Sequence, residues 1–294
     1  MQTRKLSPIG GLIVEDVDLK TRHSAEQAAE LRRLFDEHGL LVFPGQKLTK
    51  QQLVAAAEPF GGAMLKRAAV AVDPEAPGIS VLSNRGYAGD VVPESPDELI
   101  GYTDWHSDLG YVTAPNRGKI LYAVATPEEG GLTGFVDLAA AYETLPSPTK
   151  AKIENLHVVQ SWDKGVTPSS KSGRYRLKGE EEIKPQKYPD VVYRMVQTHP
   201  VTGVKVLNCP PLWAASVVEA PGADGQALID ELTAHITRPE AQYWHKYEVG
   251  DAVLWDNWRF IHAASGTLGR YVRTIWSVTL NPGPEFGQLA QHAA

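Results

Sequence analysis

Cysteine is almost missing from this chain. Cys209 stands alone, which excludes an intrachain disulfide and suits a reducing compartment such as the cytoplasm. No apolar run approaches the roughly 20 residues of a membrane span. The N-terminus, Met1-Gln-Thr-Arg-Lys5, is polar and basic with no apolar segment behind it, so no secretory leader is expected. There is no basic stripe, and the formal net charge is −6, which argues against nucleic acid as a partner. Internal repeats and low-complexity tracts are also lacking. What is present is the mix of a folded globular protein, 43% hydrophobic and 22% charged. A chain of 294 residues buries a sizeable core without cross-links. Residues 1–294 are expected to form a single domain, because β barrels and sandwiches reach this size as one unit.

Local patterns place the first elements. Ser24 with Gln27 forms a capping-box pattern ahead of Ala28, Leu31, Leu34 and Phe35, and Gly39 stands where a C-terminal cap belongs. The apolar run Leu40-Leu-Val-Phe43, closed by Pro44-Gly45, reads as a short buried strand and turn. Thr49 with Gln52 repeats the capping box, with Leu53, Ala56, Ala57 and Phe60 predicted on one helical face and Gly61 at its end. A third helix is predicted over Gly225 to Ile236. Elsewhere short strands alternate with Pro and Gly: Ile120–Ala125, Val204–Leu207, Ala252–Trp255 and Arg273–Leu280. Many short strands with turn signals predict a mainly β sandwich or jelly roll with flanking helices. Residues 163–188, polar and charged, read either as a lid insertion or as a solvated loop.

The chemistry lies in residues far apart in sequence. In Tyr102-Thr-Asp-Trp-His-Ser-Asp108, His106 and Asp108 are two apart, so an extended strand turns both to one side. With nine histidines in the chain, one His-x-Asp arises easily by chance and means little alone. The second signal is His262, after the apolar strand that begins at Ala252, and the third is Arg273, eleven residues later. Two histidines and a carboxylate on one face of an iron leave three positions open, the pattern of non-haem Fe(II) oxygenases. Two of these suit a bidentate 2-oxo acid and the third suits O2. The far carboxylate of such a cosubstrate needs a permanently charged, planar partner, which Arg provides and Lys does not.

These motifs, in order, resemble the taurine dioxygenase (TauD/TfdA-like) family of Fe(II)/2-oxoglutarate dioxygenases. The similarity runs over nearly the whole chain: Gly10-Gly-Leu-Ile-Val-Glu-Asp-Val-Asp-Leu19, His38-Gly-Leu-Leu-Val-Phe-Pro-Gly-Gln-Lys-Leu48 with Phe60-Gly61, Trp105-His-Ser-Asp108, Gly130-Gly-Leu-Thr133, Thr198-His-Pro-Val-Thr-Gly203 and Trp255-Asp-Asn257. The resemblance implies a double-stranded β-helix, a cupin-like jelly roll, with helices outside one sheet. It implies Fe(II) held by His106, Asp108 and His262, and 2-oxoglutarate held by Arg273 and the Thr133 hydroxyl. It implies an oxidoreductase that couples decarboxylation of 2-oxoglutarate to succinate with oxidation, by default hydroxylation, of a small molecule. Asp108 argues against the halogenases of the superfamily, which lack this carboxylate. Family members are commonly dimers or tetramers, so a homo-oligomer is implied.

Two departures bear on the substrate. Taurine dioxygenases carry a second arginine four residues after the clamp, where this chain has Ser277, and an asparagine where it has Tyr102. Taurine is therefore not the expected substrate, and the pocket reads as more aromatic and less cationic. Candidate substrate-facing residues are Asn84, Tyr102, Leu109, Tyr111, Trp213 and Arg270. Each also has a plainer reading: Trp213 as core, Arg270 as a solvated turn residue, Asn84 as a turn former. His199, before Pro200, reads as structural, and His157, His235 and His245 receive no role. The competing function is a cupin-like metal-binding protein without turnover, which has no use for a cosubstrate clamp.

Overall fold

The computed structural model describes residues 1–65, 73, 76–85, 93, 95–165 and 188–290. Most of the predicted insertion at 163–188, namely 166–187, lies outside the described residues.

Both capping boxes form. Ser24 accepts from the Gln27 amide while the Gln27 side chain accepts from the Ser24 amide, and Thr49 and Gln52 repeat the exchange. The first helix, Ala25–His38, ends on Gly39 at φ 67°, a left-handed cap that favours glycine. The second is shorter than its pattern predicts. It stops at Ala55, and Glu58–Phe60 forms a separate 3-10 turn. Pro59 explains the break, since it has no amide to continue the helical ladder. Phe60 still reaches the core, packing edge-on to Phe35 with centroids 5.5 Å apart.

A seven-stranded sheet runs in the order Gln2–Ser7, Gly10–Glu15, Leu40–Phe43, Ala252–Asp256, Gly118–Ala125, Thr274–Thr279, Ile79–Ser83. Only the pairing of Gly10–Glu15 with Leu40–Phe43 is parallel. A four-stranded antiparallel sheet faces it, in the order Tyr243–His245, Thr133–Asp137, Phe260–Leu268, Leu99–His106. The predicted strand at Arg273 begins one residue later, so Arg273 sits at the strand's mouth rather than within it.

Strand alternation sorts side chains into layers. Leu40, Val42, Leu121, Ala123, Val253, Trp255 and Ile275 point inward and meet Phe135 and Phe260 of the opposite sheet. Their neighbours Leu41, Phe43, Ile120, Tyr122 and Leu254 point outward under Leu31, Leu34 and Phe35 of the first helix. Burying a side chain such as Phe35 contributes roughly 1.5–3 kcal/mol. Val136 and Ile261 leave the outer face of the smaller sheet apolar as well. That face is covered by the helices Leu138–Glu143, Ser147–Ile153 and Ala223–Ile236 and by strands from a further sheet. Helices therefore lie outside both sheets, not one as the resemblance implies, because two outward apolar faces need cover.

Candidate metal centre

The smaller sheet brings the two halves of the candidate ligand set together. His262 is directly opposite His106 on one neighbouring strand and Phe135 on the other. Ala264 pairs with Thr103 rather than Asp104, so the register shifts and the strand ending in His106 carries an extra residue. Such a bulge bends a strand and re-aims its side chains. Leu109 just beyond has φ 54°, an uncommon value for a non-glycine residue, as the chain turns back after Asp108.

His106, Asp108 and His262 each offer one ligand atom, all within 4.8 Å of one another. Asp108 Oδ1 is 3.8 Å from His106 Nε2 and 3.9 Å from His262 Nε2. These separations are too long for hydrogen bonds, yet below the roughly 4.2 Å limit for two atoms bonded to one ion at about 2.1 Å. His106 and Asp108 are fixed from behind, while His262 Nδ1 has no hydrogen-bond partner among the described residues. His106 Nδ1 meets the Asp104 carbonyl at 2.7 Å, which leaves Nε2 for a metal. Asn257 grips the backbone of Asp108 from both sides, accepting from its amide at 2.8 Å and donating to its carbonyl at 2.9 Å. Lys119 Nζ lies 2.7 Å from Asp108 Oδ2.

Protonation fits a cation site. Burial alone would raise the Asp108 carboxyl, but Lys119 and the two imidazoles outweigh it and hold the group below the usual carboxylate range. Burial lowers the His106 imidazole, partly offset by Asp108. Burial and the adjacent His106 push His262 well below its ordinary value. At neutral pH the cluster is two neutral imidazoles and one carboxylate, the form that binds a divalent metal.

A second group of polar side chains lies nearby. Thr133 pairs with Ala264, two residues along the ladder from Phe135 and His262, or about 7 Å. Its hydroxyl accepts from Tyr247 at 3.1 Å. Burial pushes the Tyr247 phenol up to about 12, so it stays a neutral donor. Arg273 donates from Nε to the Gly131 carbonyl at 3.3 Å, beside Gly130 and Gly131, which both have positive φ. Among the described residues, buried Trp255 Nε1, Ser277 Oγ and Thr279 Oγ1 have no hydrogen-bond partner. Ser277 is opposite Leu121 and Thr279 opposite Lys119, so both hydroxyls share the inward face. Polar atoms orphaned inside a core mark room for a polar ligand. The donor set and this lining fit a ferrous ion with a bidentate dicarboxylate beside it.

The sequence comparisons agree with this geometry. A family model described as taurine catabolism dioxygenase TauD, TfdA family matches residues 2–279. The chain belongs to that family. Among its TauD/TfdA relatives is the alpha-ketoglutarate-dependent 2,4-dichlorophenoxyacetate dioxygenase of Cupriavidus pinatubonensis, 32% identical over 265 residues, covering 87% of this chain and 89% of that protein. The (S)-phenoxypropionate/alpha-ketoglutarate-dioxygenase of Sphingobium herbicidovorans is 31% identical over 261 residues, covering 84% and 83%. The crystal structure of AAD-2 in complex with Mn(II) and N-oxalylglycine superposes with a TM-score of 0.77 at 26% identity, covering 97% of this chain and 98% of that one.

The substrate candidates of this TauD/TfdA chain divide. Trp213 stands edge-on to His106, centroids 6.2 Å apart, and its Nε1 donates to the Ser107 carbonyl at 2.8 Å. Tyr111 packs on Trp213 at 5.0 Å, and Trp162 and Tyr188 extend this into an aromatic wall, with Tyr111 4.5 Å and 4.9 Å from them. Any Cβ on Gly110 would lie 2.6 Å from Trp213, so the wall requires glycine beneath it. Leu109 lies between this wall and the metal cluster in sequence, and is half-buried. Asn84 is spent on backbone: it donates to the Tyr271 carbonyl at 2.7 Å and accepts from the Arg273 amide at 3.1 Å, which holds the backbone at Arg273. Tyr102 donates to Asp104 at 2.7 Å. Arg270 pairs with exposed Asp97 and is not drawn toward the metal cluster. Sequence reasoning missed Lys119, Tyr247, Trp162 and Tyr188. For Lys119 a signal existed, a charge at an inward position of an apolar strand.

Proposed function

We propose that His106, Asp108 and His262 hold Fe(II), that Arg273 and Thr133 hold 2-oxoglutarate, and that the enzyme oxidises a small carboxylated aromatic compound. The reaction class, oxidation of a small molecule by an alpha-ketoglutarate-dependent dioxygenase, follows from family membership. The observation that carries the residue roles is the three-atom convergence inside the jelly roll, one pleat from Thr133 and Tyr247. Bound iron supplies O2 activation coupled to loss of CO2 from the cosubstrate. The chain's own residues orient the reactants. Arg273 offers paired donors to the distal carboxylate, and the Thr133 hydroxyl, backed by the Tyr247 phenol, adds a neutral one. Trp213 stands edge-on beside His106 with Tyr111 packed on it, an aromatic wall along which a planar substrate would lie.

The aromatic wall and the two phenoxy-acid relatives favour an aryloxy acid. Ser277, a buried neutral hydroxyl where taurine dioxygenases carry a guanidinium, disfavours a sulfonate. The test is succinate release from 2-oxoglutarate with Fe(II) and ascorbate, across a panel of phenoxyacetates, phenoxypropionates and taurine. Fe(II)- and O2-dependent succinate with the phenoxy acids and none with taurine is expected. Release with taurine alone would overturn the substrate class, and an absence of 2-oxoglutarate binding would overturn the residue roles.

A further inference from the structure

Lys119 is the charged exception in the inward row of strand Gly118–Ala125. By alternation it shares a face with Leu121 and Ala123, which pack between the two sheets. It stands opposite Trp255 on one neighbouring strand and Thr279 on the other. Its ammonium reaches Asp108 Oδ2 at 2.7 Å, and both side chains are only 13% exposed. Placing an ammonium among apolar neighbours is costly. Fixing Asp108 in space does not require it, because Asn257 already holds that residue's amide and carbonyl. The two carboxylate oxygens are thus divided: Oδ1 faces the imidazoles at 3.8 and 3.9 Å, and Oδ2 faces Lys119.

We propose that Lys119 is a positioning residue that confines Asp108 to one-oxygen ligation of the metal and so keeps the cosubstrate positions open. This rests on the ligand set proposed above. A carboxylate with both oxygens available binds divalent cations through one or both of them. A two-oxygen Asp108 would occupy one of the three positions that a two-histidine, one-carboxylate site leaves open. With Oδ2 engaged by the ammonium, that mode is blocked. The same positive charge repels the metal and attracts the dianionic cosubstrate. Loss of Lys119 therefore moves two affinities in opposite directions, which general damage to the fold does not do.

The experiment uses Lys119→Met and Lys119→Arg in the full chain. Calorimetry gives the Kd for Mn(II) alone, then the Kd for 2-oxoglutarate on the Mn(II)-loaded protein. In Lys119→Met, Mn(II) is expected to bind as tightly as in wild type or up to about tenfold tighter, and 2-oxoglutarate at least about tenfold more weakly. Lys119→Arg, which keeps the cation, should restore both to within about threefold. A 2-oxoglutarate Kd within threefold of wild type in Lys119→Met, or parallel weakening of both ligands, overturns the proposal. If Lys119→Met does not fold, Lys119→Gln is read against the same limits. Failure of both to fold would make the lysine a folding element and end the proposal. His262→Ala runs alongside: retained Mn(II) binding there would strike the ligand set itself, separately from Lys119.

Discussion

The His199–Asp256 cluster and the His106–Asp108–His262 cluster differ in how their polar atoms are satisfied. His199 and Asp256 form a closed one. Asp256 Oδ2 lies 2.9 Å from His199 Nε2 and is paired with Arg117, which also reaches Asp36 at 3.0 Å. His199 Nδ1 accepts from the amides of Val201 and Thr202, and Asp256 Oδ1 from the amide of Trp258. His106, Asp108 and His262 form an open one, with three ligand atoms facing each other across distances too long for hydrogen bonds. A closed network rigidifies the fold, while an open one awaits a cation. The closed cluster is also the more deeply buried, with His199 and Asp256 at 0% and 1% side-chain exposure against 12% and 13% for His106 and Asp108.

The largest expected effect tests that contrast directly. His262→Ala should abolish stoichiometric Mn(II) or Fe(II) binding measured by calorimetry, while His199→Ala should leave metal affinity within about twofold yet lose about 3–5 kcal/mol of stability to urea, the cost of breaking a buried pair. Comparable metal loss in both variants would erase the distinction. Next, Arg273→Ala should raise the 2-oxoglutarate Kd by about 10- to 100-fold, as loss of a charged hydrogen-bond pair does, with metal affinity unchanged. An unaltered Kd would remove Arg273 from the site. Smaller still, Asn257→Ala should weaken metal binding about tenfold through the freed Asp108 backbone, whereas Asp256→Asn, one residue earlier, should act on stability alone. The least effect concerns pH. Burial would raise the Asp256 carboxyl, but Arg117 and His199 hold it below the ordinary carboxylate range. As pH falls, the unfolded chain takes up that proton first. The contribution is thus full above about pH 3.9 and is lost below it. Urea unfolding across acidic pH should show a shallower fall for Asp256→Asn than for wild type.

Much of this was legible in the sequence because local chemistry specified it. Ser24/Gln27 and Thr49/Gln52 marked helix starts, and Leu40–Phe43, apolar at every position, marked a strand buried on both faces. The candidate ligands His106, Asp108 and His262 and the candidate clamp Arg273 came from the family resemblance, and the structure brings the three candidate ligand atoms within 4.8 Å of one another. What stayed hidden depended on contacts between distant segments. Pro59 ended a helix that periodicity would have extended. Starting the strand at Ile120 left Lys119 outside it, although the ladder begins at Gly118. Trp162 and Tyr188 join Tyr111 only through tertiary packing. Asn84 carried the polarity of a binding residue, and only its two backbone hydrogen bonds reveal a supporting role.

The direct pairing of His262 with His106 makes the centre sensitive to chain length. Side chains on a strand alternate between faces, so a one-residue slip of Phe260–Leu268 against its neighbours would turn the His262 imidazole to the outer side of the sheet. No side-chain adjustment could bring it back. The loops joining these strands can lengthen or shrink at small thermodynamic cost, whereas in the ladder, outside the bulge between Thr103 and His106, register decides which face each side chain takes.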